Sequence, residues 1–111
     1  MPQGSQTKYG LFGKLTALDG KGEELAAILL EAAQLVSSEP GCLIYLVSQD
    51  AHNAAVVWVT EVWETQADHD NSLKAPEVRA LIGKAMPLLA GAPEKGTTLA
   101  VLGGKLSLIH I

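Results

Sequence analysis

The residues with the clearest chemical potential lie in one run, Glu61-Val-Trp-Glu-Thr-Gln-Ala-Asp-His-Asp-Asn-Ser-Leu73. A valine-rich stretch ends in Trp63, and a short polar helix carrying His69 and Asn71 is expected to follow at once. The whole chain has one Phe, two Tyr and two Trp, so an indole six residues from an imidazole is conspicuous. Imidazole is the side chain that exchanges protons nearest neutral pH, which suits a general base. A site built here would have a flat apolar wall, Trp63, and a proton-handling group, His69. For Trp63 the alternative role is core packing. For His69 it is a solvated helix position between Asp68 and Asp70.

The elements that must position these residues can be read from periodicity. Tyr9 to Leu18 alternates loosely as a first strand, with Gly10 and Gly13 marking close approach or a bulge. After the turn Asp19-Gly-Lys-Gly, residues Leu25, Ile28, Leu29, Ala32, Leu35 and Val36 form an apolar helical stripe that Pro40-Gly41 ends. Cys42 to Gln49 and Ala55 to Trp63 read as two strands of an antiparallel hairpin around Asp50-Ala-His-Asn. Thr65 and Asp68 resemble a capping box, and Ala75-Pro76 breaks and restarts the helix. Val78, Leu81, Ile82, Ala85 and Leu89 make a second stripe, and Thr97 to Leu102 reads as a fourth strand. Lys105 to Ile111 is expected to add a short strand or an arm on a partner.

The order β-α-β-β-α-β is the ferredoxin-like α+β pattern, an antiparallel sheet with its helices on one face. Nothing remains in the chain to cover the other face, so a symmetric homodimer is expected. Strand parity puts Val57, Val59, Glu61 and Trp63 on one side, and Val56, Trp58, Thr60 and Val62 on the other. A carboxylate on the Trp63 side is costly unless paired, and Arg79 or a backbone amide would serve. Tyr9 and Tyr45 could line a cavity or pack in the core. Asn71 and Ser72 could line it too, or simply cap the helix. His52 and His110 read as surface residues, and Glu39 as solvated.

Composition narrows the classes. The 111 residues are one domain's length, with a core spanning about residues 8–103 and a tail from 104. The net charge is −4 and the eight Lys and Arg are scattered, which speaks against nucleic-acid binding. No run is apolar enough to span a bilayer and the N-terminus has no apolar signal region, so a soluble cytoplasmic protein is expected. One cysteine, Cys42, and three scattered histidines offer no metal-ligand spacing. Neither a dinucleotide-binding glycine motif, a P-loop nor a nucleophile elbow is present.

The segments Glu39-Pro-Gly-Cys-Leu-Ile-Tyr45, Thr60-Glu-Val-Trp-Glu64 and His69-Asp-Asn-Ser-Leu-Lys-Ala-Pro76 resemble the antibiotic biosynthesis monooxygenase domain. The similarity runs from about Tyr9 to Leu102. It implies a dimeric α+β barrel and, in several members, oxidation of quinols or polycyclic phenols by O₂ without flavin or metal. It also implies Trp63 as the strand-end pocket wall and His69 as base or hydrogen-bond partner; Tyr45, Asn71 and Val59 are the further residues expected to line the site. Val59 stands where the polycyclic-phenol enzymes place an Asn, and Ser72 where many relatives have a His. The first strand lacks the Asn that haem-degrading relatives use. The expected function is therefore a cofactor-independent monooxygenase of a small aromatic substrate. A non-catalytic small-molecule-binding dimer and, behind it, a haem-degrading relative are the alternatives.

Overall fold

The computed structural model describes residues 7–104. The elements run in the order β1 (Lys8–Thr16), α1 (Gly22–Val36), β2 (Cys42–Gln49), β3 (Val56–Trp63), α2 (Gln66–Ser72), α3 (Pro76–Ala85) and β4 (Thr97–Val101). A 3-10 turn, Met86–Leu88, prolongs α3. The expected tail strand, Lys105 to Ile111, lies outside the described residues.

Every pairing is antiparallel and the sheet order is β2-β3-β1-β4. This is the ferredoxin-like arrangement expected, and the sheet is open. β3 is central and apolar on both faces, with Val56, Val57, Val59, Val62 and Trp63 all buried. Its register sets Tyr9 opposite Trp63 on one side and Cys42 opposite Trp63 on the other. An irregularity between Cys42 and Ile44 takes up Leu43 as a bulge, which keeps Cys42 on the Trp63 side.

The helices cover a single face. Leu25 and Val57, both fully buried, anchor one cluster with Ala17, Ala85, Leu88 and Leu89. A second cluster joins Val36 of α1, Trp63 of β3 and Val78 of α3. Trp63 thus points at the helices, and Trp58 lies on the opposite face, as parity requires. There Phe12 stacks on Trp58 at 5.2 Å, the Lys14 ammonium sits 5.8 Å from the Trp58 ring, and the indole N–H donates to Asp50 Oδ2 at 3.1 Å. Phe12, Leu46 and Leu99 remain exposed on that face.

Local chemistry sets the boundaries. The turn into α1 passes through Gly20 at φ 77°, a left-handed conformation that L side chains resist. At Gly22 a Cβ would collide with the Ala54 carbonyl, so only glycine lets α1 start against the β2–β3 loop. Thr65 caps α2 by accepting the Asp68 N–H at 3.1 Å. Pro76 occupies the first turn of α3, where its missing N–H costs nothing. Two positions of the expected stripes differ: Leu35 and Ile82 are exposed, at the edges of arcs that bury their neighbours. Leu89 lies past the helix and instead bridges Ala17. None of the helices among the described residues is long and apolar enough to cross a membrane.

Candidate functional site

β3 and α2 bring three groups together between the sheet and the helices. Trp63 is 1% exposed and His69 8% exposed. Glu61 shares the Trp63 face, and its side chain is 12% exposed. The Trp63 indole N–H donates to Glu61 Oε1 at 2.9 Å, and His69 Nε2 lies 3.9 Å from the same oxygen. The other imidazole nitrogen, Nδ1, is 3.0 Å from Asp70 Oδ1. The ring meets Trp63 edge-on at 5.9 Å and tilts over Tyr9 at 5.2 Å. His69 is therefore enclosed by two rings and two carboxylates.

The sequence explains this placement. Residues two apart on β3 share a face, so Glu61 and Trp63 point the same way. On α2 each residue turns by about 100°, so His69 and Ser72 share the buried side while Asn71 is carried round to the exposed side. The Ser72 hydroxyl donates to the His69 carbonyl at 2.6 Å and fixes that turn. Asn71 is thus not brought to the group. The partner of Glu61 is also not Arg79, which is exposed on α3; the indole N–H of Trp63 takes that place.

Next to the group, a cavity of about 180 Å³ is lined by Leu11, Leu29, Tyr45, Val59 and Glu61, among others. Lys14 and Glu94, 4.0 Å apart and solvated, stand at its rim. Of the expected lining residues, Tyr45 and Val59 border this space. Trp63 and His69 stand behind Glu61 rather than on the cavity wall. Tyr9, opposite Trp63 and over His69, was expected only as a general lining candidate. Its alignment depends on the β1–β3 register, which periodicity alone does not reveal.

Electrostatics separate the groups by role. Burial raises the Glu61 carboxyl above the usual carboxylate range, while the Trp63 hydrogen bond and His69 oppose part of that rise. Burial, with the Glu61 charge beside it, pushes the Tyr45 hydroxyl far above its ordinary value. Burial, Glu61 and Glu39 push the Cys42 thiol up to about 11. Tyr45 and Cys42 consequently keep their protons near neutrality and can donate, and Glu61 is a buried group on the cavity able to accept. Among the described residues no three His, Cys, Asp or Glu side chains are grouped to hold a metal ion.

Comparisons with known proteins identify the family and the fold. A family model described as antibiotic biosynthesis monooxygenase matches residues 9–84. The solved structure of a candidate antibiotic biosynthesis monooxygenase from Chloroflexus aurantiacus J-10-fl is 41% identical, with a TM-score of 0.79 over 88% of this chain and 96% of that one. PA3566 from Pseudomonas aeruginosa is 25% identical, with a TM-score of 0.78 over 87% and 96% of the two chains. A further candidate from Caulobacter crescentus CB15, 24% identical with a TM-score of 0.79 over 88% and 92%, shares the fold. No curated protein matches the chain.

The raised Glu61 carboxyl gives stability a defined pH dependence. The folded chain holds that proton at a pH where the unfolded chain has lost it. Its contribution is complete below the unfolded carboxyl value and is lost as pH rises through the folded one. Glu61→Gln removes the charge and keeps an oxygen for the Trp63 N–H. Thermal melts should show the variant gaining on wild type as pH rises from about 4, near the ordinary Glu value, through neutrality. A difference that stays constant over that range would contradict the buried-carboxylate account.

Proposed function

The chain belongs to the antibiotic biosynthesis monooxygenase family, and from that premise we propose that it oxidises a small quinol or phenol with O₂, without a cofactor of its own. The observation that carries this reading is the convergence of Glu61, Trp63 and His69 beside an otherwise largely apolar cavity. For a quinol, one oxygen atom enters the ring and the other leaves as water. The four electrons come from the C–H bond replaced and from the quinol-to-quinone step, so the substrate supplies its own reducing power. What such a site must do is remove a hydroxyl proton, hold the ring and keep water out.

The residues suit that division of labour. Trp63 is the rigid wall behind the acidic group, and His69 takes part in moving the proton. Tyr45, kept protonated by burial, is placed to donate to a substrate oxygen, and Val59 gives an apolar floor. The cavity size supports a single-ring substrate, because a cavity of roughly 150 Å³ accommodates benzene.

The uncovered sheet face supports a homodimer as the working form. Phe12, Leu46 and Leu99 lie exposed beside Trp58 on a surface that no element of this chain overlies among the described residues. A second copy of the same face would bury them symmetrically. Sedimentation should give a dimer, and the double variant Phe12→Glu and Leu46→Glu should give a folded monomer. A monomeric wild type would end the dimer assignment.

Oxygen consumption with a panel of single-ring quinols tests the activity itself. Uptake matched by hydroxyquinone formation is expected, and His69→Ala should lower kcat/KM by roughly 10²-fold, the scale of proton-transfer catalysis. Tight quinol binding with no oxygen uptake would instead identify a binding protein and reject the oxidation.

A further inference from the structure

Resting on the reading of this pocket as a phenol-oxidising site, we propose that Glu61 is its catalytic base, and that His69 and Asp70 form the path by which the proton leaves. The O–H bond of the bound phenol breaks, its electron pair stays on the phenolate oxygen, and the proton bonds to a Glu61 carboxylate oxygen. O₂, the second substrate, then draws electrons from the phenolate.

The geometry distinguishes Glu61 from the other candidates. Glu61 borders the cavity, whereas His69 is buried behind it, beside Trp63 and Tyr9, and is not part of the lining. His69 Nδ1 is 3.0 Å from Asp70 and Nε2 lies 3.9 Å from Glu61, on the far side of the carboxylate from the cavity lining. Tyr45 and Cys42 on β2 hold their protons and cannot accept one near neutrality. Tyr9 of β1 is turned to the imidazole, and α1 adds Leu29 to the wall. Glu94 also borders the cavity, but its side chain is 57% exposed and lies 4.0 Å from the Lys14 ammonium, so it lacks the burial that sets Glu61 apart.

The same contacts describe an exit. Glu61 Oε1 and His69 Nε2 are 3.9 Å apart, a gap that a small side-chain movement closes to hydrogen-bond distance. Passing a proton in at Nε2 releases one from Nδ1 to Asp70 at 3.0 Å. The Asp70 side chain is 55% exposed and delivers it to water. Trp63 fixes the starting point, since its N–H holds Oε1 at 2.9 Å and leaves Oε2 without that restraint. Burial, which raises the carboxyl, also strengthens it as a base toward a phenol.

The test uses para-nitrophenol, whose ionised form absorbs in the visible, at a pH below its own solution value. Wild type should convert the bound phenol to phenolate, Glu61→Gln should bind it in the neutral form, and Glu61→Asp should restore part of the band. A wild-type complex without the phenolate band, or an equal band in Glu61→Gln, would overturn the assignment. With any quinol that is turned over, kcat/KM should fall on acidification through a value above the ordinary Glu range. Glu61→Gln should lose that limb together with roughly 10²-fold or more of the rate; an unchanged pH profile would also overturn it. The band without oxygen uptake for any quinol would reject the oxidation and uphold Glu61 as the base.

Discussion

A carboxylate on the inward face of a central strand needs partners before helices can close over it. Glu61 occupies that position, and much of the local architecture follows from it. Its hydrogen bond comes from the next inward residue on the same strand, Trp63, so the indole is held by a polar contact as well as by packing. Its second neighbour comes from α2, which must start immediately after β3 to deliver His69 at 3.9 Å. Thr65 caps that short helix and Ser72 ties its end, while Tyr9 closes the imidazole from the next strand. A buried charge without such a surround would cost several kcal/mol.

That constraint makes a sparse site coherent. Burial acts on Tyr45, Cys42 and Glu61 in the same direction and with different consequences. It keeps the Tyr45 hydroxyl and the Cys42 thiol protonated, as donors. It makes the Glu61 carboxyl a stronger acceptor. A buried acceptor beside protonated donors is the arrangement on which the proposed oxidation of a self-reducing substrate rests. The other side of the sheet leaves Phe12, Leu46 and Leu99 exposed, so the two faces of β3 separate the buried ionisable groups from an apolar surface.

Much of the fold was legible in the sequence because its periods are distinct. The stripe from Leu25 to Val36 and the parity of Val56 to Trp63 led to the right elements and the right faces, and Pro76 marked the restart of the second helix. The site was legible in part. Trp63 and Glu61 share a face by strand parity, and that parity also showed that Glu61 required a partner. Which partner was not legible: Arg79 is a charged residue at plausible range, but only the docked geometry reveals that an indole N–H two residues away suffices. Asn71 seemed adjacent to His69 because it is adjacent in sequence, whereas helical rotation separates them and groups His69 with Ser72. Tyr9 could not be assigned to His69 without the β1–β3 register.

The central claim is that a single buried carboxyl, held between an indole and an imidazole, governs this pocket. Carbon-13 NMR titration of the Glu61 side-chain carboxyl in the intact protein tests it most directly. The account predicts a midpoint clearly above the ordinary glutamate value of about 4.3, moving higher when Trp63→Phe removes the N–H that stabilises the charge. A midpoint at or below that value, or one that Trp63→Phe leaves in place, would contradict it.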